Sequence, residues 1–119
     1  MLPKHQNSTA LLISANTHKL YTKLIQQLNK DFSLANFDFK FIENTTPLIL
    51  KEILRNCIKN LIINDSATYK NVLYVIDVSE KKINNINASD IDTYTDNIVF
   101  LILKRVWKKV WFKAKYTSL

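Results

Sequence analysis

The chain contains no glycine, although average usage would place about eight in a chain of this length. It therefore has neither a glycine-rich phosphate loop nor a glycine-based dinucleotide-binding motif. Its single cysteine, Cys57, excludes a disulfide within the chain and indicates an intracellular, cytoplasmic protein. The longest apolar run, residues 98–103, is far too short to span a bilayer, and no signal peptide is recognisable before it.

Motifs that carry catalysis or bind metals are also missing. His5 and His18 have no partner residues at the spacings typical of metal sites or metalloproteases. Asp90, Asp92 and Asp96 form an acidic group, which we interpret as a solvated loop with helix caps because calcium loops need more oxygen ligands and a glycine turn. We therefore expect no cofactor, no metal, no small-molecule substrate and no enzymatic activity.

Basic charge is concentrated at the C-terminal end of the chain. Residues 97–119 contain six basic and no acidic residues, whereas residues 1–96 contain 11 basic and 10 acidic ones. The six are Lys104, Arg105, Lys108, Lys109, Lys113 and Lys115. Such a segment suits a nucleic acid, an anionic membrane surface or an acidic protein face, unless it only reflects a lysine-rich composition.

Apolar patterning predicts three strands alternating with two helices. Residues 10–15 form a short apolar run, residues 37–42 alternate phenylalanine with charged residues, and residues 72–78 are rich in β-branched residues, each pattern being typical of a strand. One helix follows the first strand and ends near Asp31. The other begins at Thr45-Thr46-Pro47 and stops at Asn64-Asp65-Ser66.

This order predicts a single α/β domain, residues 1–119, with a small, mostly parallel sheet of three or four strands flanked by helices. The pattern leaves open whether residues 98–103 are a fourth strand or the start of the last helix. Its strand order and oligomeric state are not predicted.

The last helix is predicted to be basic and amphipathic. At 100° per residue, its apolar residues, including Trp107 and Trp111, fall on one face and its six basic residues on the other. The tryptophans either pack in the core or anchor a partner, and the pattern does not decide between these. The predicted partner-binding residues are Lys104, Arg105, Trp107, Lys108, Lys109 and Trp111.

Several residues resemble the psi subunit family of bacterial DNA polymerase III, small members of the clamp-loader assembly. Leu12-Ile-Ser-Ala-Asn16 resembles the end of that family's first strand, and Thr46-Pro47 its Thr-Pro after the second strand. Val72–Ile76 resembles the third strand, and Leu103-Lys-Arg-Val-Trp107 the C-terminal helix. The resemblance spans residues 3–115 and implies an α/β fold without activity that binds the chi subunit; the family's N-terminal arm has no counterpart here.

The leading hypothesis is therefore a non-catalytic, psi-like bridge in a DNA-replication assembly. One alternative is a protein that binds nucleic acid directly through the basic helix, residues 98–115. Another is a degenerate receiver-like signalling domain with Asp77 at the end of the third strand, although no acidic pair follows the first strand. A peripheral membrane role is a further possibility.

Overall fold

The computed structural model of this protein describes residues 2–117 and contains six α-helices. They are α1 (Ser8–Thr17), α2 (Tyr21–Leu34), α3 (Pro47–Asn64), α4 (Ser66–Ile76), α5 (Glu80–Asn84) and α6 (Ile91–Thr117). The expected α/β fold is wrong, because the described residues are 73% helical and form no strand. None of these helices is both long and apolar enough to cross a membrane.

The first predicted strand, residues 10–15, lies within α1. Leu11, Leu12 and Ala15 are buried, whereas Ile13 is 55% exposed, which is the spacing of one helix face. The side chain of Asn7 caps this helix by accepting a hydrogen bond from the Ala10 amide at 2.9 Å.

The third predicted strand, residues 72–78, lies mostly within α4. Val72, Leu73 and Ile76 are buried, whereas Tyr74 between them is 85% exposed, as a helical period requires. Asp65 starts this helix, because its carboxylate accepts hydrogen bonds from the amide and hydroxyl of Thr68. The β-branched residues of this segment therefore lie in a helix that Asp65 caps, despite their preference for strands.

The second predicted strand, residues 37–42, is a segment without regular secondary structure, and the structure contains no strand among residues 2–117 that could pair with it. It lies on α2 instead. The side-chain amide of Asn29 satisfies the backbone groups of Phe41 that a neighbouring strand would otherwise bind. It donates to the Phe41 carbonyl at 3.0 Å and accepts from the Phe41 amide at 2.7 Å. The alternating phenylalanines pack around Phe32 of α2, which contacts the rings of Phe37 and Phe41.

The predicted helices are confirmed, with shifted ends for two of them. Pro47 is the first residue of α3, and α3 ends at Asn64 as its sequence indicates. The segment after α1 forms α2, which extends three residues beyond Asp31. Residues 98–103 belong to α6, which begins at Ile91 after Asp90 caps it through the Thr93 amide.

Helix α6 is the central element, since it contacts each of the other five helices. The buried residues of all the longer helices join in one core. In α6 this apolar stripe extends from Ile98 to Trp111, whereas Phe112 and Tyr116 beyond it are exposed. The C-terminal turns of α6 therefore leave the core and carry their side chains to the surface.

Candidate functional site

The two tryptophans of α6 lie in the core. Trp107 is 1% exposed and Trp111 is 6% exposed. His18, at the end of α1, packs edge-on against both rings, and His5 packs against Trp107. The Trp107 indole N–H is buried without an acceptor among residues 2–117. Neither ring offers a free surface that could anchor a partner.

Two of the predicted basic residues are engaged with neighbours. The Lys104 ammonium lies 4.6 Å from the centre of the Phe100 ring, and burial together with the charge of Lys82 lowers its pKa. Arg105 donates to both the carbonyl and the carboxylate of Asp77, each at 3.2 Å. Asp77 ends α4 and does not follow a strand, so the structural basis of the receiver-like alternative is wrong.

Lys109 neutralises a buried carboxylate. Its ammonium donates to the Asp31 carboxylate at 2.9 Å, and Gln27 donates to the other oxygen of that carboxylate at 3.0 Å. Asp31 is 3% exposed, and these two donors replace the water that an exposed carboxylate would bind. Lys108, one residue earlier, is exposed. The six predicted residues therefore do not form one surface: two are core, three pair with neighbouring side chains, and Lys108 faces solvent.

A different set of lysines lines a groove between α2 and the end of α6. The groove has a volume of about 380 Å³, and its lining contains no carboxylate among residues 2–117. We call it the lysine groove; its residues are Lys23, Gln26, Gln27, Lys30, Val110, Lys113 and Ala114. Two of them contact carboxylates: Gln27 donates to Asp31, which also binds Lys109, and the Gln26 amide lies 3.5 Å from the Glu43 oxygens.

The sequence of α2 contains one signal for this groove. Lys23, Gln26, Gln27 and Lys30 follow the spacing of one helix face, opposite the apolar stripe of α2. That face is continuous with α6 because Lys109 connects the two helices through Asp31. A polar stripe on one helix does not indicate which other helix lies beside it, so the groove emerges only from the tertiary structure.

A larger groove, of about 800 Å³, lies between α4, α5 and α6. Tyr69 and Tyr94 meet there through their hydroxyls at 3.0 Å. Lys70 shares its lining with two carboxylates, those of Asp77 and Glu80. Because charges of both signs are present, this groove has no electrostatic preference for an anionic ligand.

The arrangement closest to a catalytic pair is Ser14 with His18. The Ser14 hydroxyl lies 3.4 Å from His18 Nδ1, but that nitrogen lies 2.9 Å from the Ser14 carbonyl oxygen. A carbonyl can only accept, so Nδ1 carries the proton and cannot act as the base for the hydroxyl. Burial raises the pKa of the Cys57 thiol, which keeps it in its less nucleophilic form.

The acidic group before and within α6 has structural partners. Asp90 caps the helix, and Asp92 accepts from Arg55 at 3.0 Å and from Lys59 at 2.7 Å. Asp96 accepts from Arg55 at 2.6 Å. Across residues 2–117 there is no group of three His, Cys, Asp or Glu side chains that could hold a metal ion.

Comparison with protein-family models, with curated proteins and with solved structures finds no match to this chain. Function is therefore inferred from the surface itself. The feature that stands out is the lysine groove, where the polar face of α2 meets the basic end of α6.

Proposed function

We propose that this protein is a non-catalytic module that binds a nucleic acid through its phosphate backbone, seated in the lysine groove. The observation that carries this proposal is that the groove is lined by Lys23, Lys30 and Lys113 and, among residues 2–117, by no carboxylate. Phosphates attract lysine side chains and release counterions on binding, so a groove of one charge sign favours a polyanion.

The geometry of α2 adds to this support. Lys23 and Lys30 are seven residues apart, which separates them by about 10 Å along the helix. Gln26 and Gln27 lie between them on the same wall of the groove, where their amides face the carboxylates of Glu43 and Asp31. Lysine side chains bind phosphate oxygens in nucleic-acid complexes. One face of α2 therefore presents two lysine donors along a line.

The test is the affinity of the protein for fluorescently labelled oligonucleotides, measured by anisotropy at several salt concentrations. We expect binding that weakens as salt rises. The double variant Lys23→Gln/Lys30→Gln should bind more weakly and lower the salt slope by about two, one for each lost phosphate contact.

The matched control is Lys70→Gln/Lys81→Gln, which removes the same charge from exposed lysines of α4 and α5. It should keep most of the affinity and the salt slope. If both double variants lower the affinity for oligonucleotides equally, the loss reflects net charge alone, and the groove is not the binding site. Undetectable binding by the wild type at about 50 mM salt would contradict the proposal altogether.

A second candidate is the psi-like bridge between proteins of a replication assembly. The α/β fold that the resemblance implies is not the fold of this chain. One observation favours a protein partner. Leu48 and Ile49, at the start of α3, have exposed apolar side chains, and they directly follow Thr46-Pro47, which is part of the resemblance to the psi family.

This candidate is tested by co-purification with the chi subunit from the same genome. A stoichiometric complex that Leu48→Glu disrupts, and that Ile63→Glu leaves intact, would support it. Ile63 is a suitable control because it is exposed on the same helix, at the opposite end. The absence of a complex between two folded proteins would contradict it.

A further inference from the structure

Two aromatic rings are exposed on α6 beyond the end of its buried stripe. Tyr116 is 72% exposed and Phe112 is 39% exposed. Their ring centres are 6.5 Å apart and the rings are inclined by 30° to each other. Side chains four residues apart share a helix face, so the two rings form one aromatic platform, Phe112 with Tyr116.

The aromatic platform is linked to the lysine groove through Lys113. This residue lines the groove, and around the helix axis it lies about 60° from Tyr116 and about 100° from Phe112. The other α6 residues of the groove, Val110 and Ala114, lie about 120° to 160° from the two rings. A strand leaving the groove therefore passes over Lys113 and around α6 to reach the rings.

We propose that this combined surface binds single-stranded rather than double-stranded nucleic acid, with phosphates in the lysine groove and bases stacked on Phe112 and Tyr116. This inference rests on the proposed function and adds the class of ligand. Exposed aromatic rings beside a cationic groove are the two components by which proteins hold single strands, since every base has a flat face to stack.

Base pairing is the physical reason for this preference. In a duplex the base faces are stacked on one another and unavailable to a protein ring, unless a base is flipped out of the helix. Duplex DNA would therefore contact only the lysines and leave the platform unused.

The experiment compares a labelled oligothymidine of about 12 nucleotides, a length suited to one small binding site, with a hairpin duplex of matched phosphate number. We expect the wild type to prefer the single strand at least tenfold. Tyr116→Ala and Phe112→Ala should each weaken single-strand binding about tenfold while leaving duplex binding unchanged.

The control variant is Tyr74→Ala, which removes an even more exposed ring, on α4 and outside the lining of the lysine groove. It should bind both oligonucleotides as the wild type does. All three variants remove exposed side chains, so their unfolding temperatures should match that of the wild type, and this is measured alongside.

Each contrary result has a separate meaning. Equal affinity for strand and duplex, or no effect of Tyr116→Ala and Phe112→Ala, would overturn the single-strand inference and leave the lysine groove standing. No binding of either oligonucleotide would overturn the proposed function itself. Co-sedimentation with phosphatidylserine vesicles, without single-strand binding, would assign the aromatic platform to a membrane surface instead.

Discussion

The buried carboxylate of Asp31 determines which C-terminal lysine has a structural role. Asp31 points into the contact between α2 and α6 and holds Lys109 from the opposite helix. An unpaired charge at such a position is costly, whereas an exposed lysine contributes little to folding. Lys108 and Lys109 are neighbours in sequence, yet only Lys109 lies against this carboxylate.

We therefore expect Lys109→Met to destabilise the protein by about 3 kcal/mol, since it leaves Asp31 buried with only Gln27 as a side-chain donor. Lys108→Met, the matched control, should change stability by less than about 0.5 kcal/mol. Urea unfolding followed by circular dichroism measures both.

The double variant Lys109→Met/Asp31→Asn should recover part of the loss, because no buried charge is then left unpaired. Equal stabilities of Lys109→Met and Lys108→Met would contradict a structural role for Lys109. If the loss in the double variant equals the sum of the losses in Lys109→Met and Asp31→Asn, each measured alone, the side chains of Lys109 and Asp31 are not coupled.

Helix ends in this glycine-free chain place other residues in the left-handed conformation. Lys19, Asn36 and Asp77 have φ values of 60°, 59° and 70° and follow α1, α2 and α4. After α1, the Leu20 amide bonds to the Ala15 carbonyl and the Lys19 amide to the Asn16 carbonyl, at 2.8 and 3.0 Å. This is a Schellman motif, in which glycine is the preferred left-handed residue.

Among these three residues lysine is the least suited, because asparagine and aspartate tolerate the left-handed region better. Lys19→Gly should therefore stabilise the protein by about 1 kcal/mol. Lys19→Ala removes the same long side chain but keeps Cβ, so it should give no comparable gain. Thermal unfolding distinguishes the two variants, and equal melting temperatures would contradict left-handed strain at this position.

The helical elements also explain how far the sequence predicts the fold. Helix α3 was predictable with its ends, because Pro47 and a long apolar stripe are unambiguous. Residues 10–15 and 72–78 were not, because a short and nearly continuous apolar run fits a strand buried on both faces as well as a buried helix. Asp65 is a helix-start signal for α4 as well as the end of α3, since its side chain caps the helix that follows.

The candidate site was predictable only in part, for a related reason. Sequence located the basic charge of α6 and the shared face of Trp107 and Trp111, but periodicity cannot tell a core face from an interface. The contribution of α2 to the lysine groove depends on which helix packs beside α6, which only tertiary contacts establish.

On the scale of the whole molecule, the acidic residues act mainly as internal partners. Asp92 and Asp96 hold α3 to the start of α6 through Arg55 and Lys59, Asp31 joins α2 to α6, and Asp77 holds Arg105. Because these carboxylates bind cationic groups of the same chain, the net charge of +7 is carried mainly by the remaining lysines. It also makes the stability of the molecule sensitive to acid.

Two groups, a histidine and a carboxylate, contribute to this acid dependence in separate pH ranges. Burial, and then repulsion from His18, lower the pKa of His5 below its ordinary 6.5. The unfolded chain therefore takes up this proton first, and stability falls as the pH drops below 6.5. Hydrogen bonding and attraction from Lys59 lower the pKa of Asp92 below 3.8, so its stabilising contribution is lost only as the pH falls below that value.

We expect the free energy of unfolding, measured by urea titration at a series of pH values, to decline in these two separate ranges. His5→Gln should abolish the first decline, between about pH 7 and about pH 5, and leave the second. Asp92→Asn should reduce the second and leave the first, because Asp92 pairs with α3 residues and His5 packs on Trp107. Stability that stays level or rises between about pH 7 and about pH 5 would contradict a neutral His5 packed against the core.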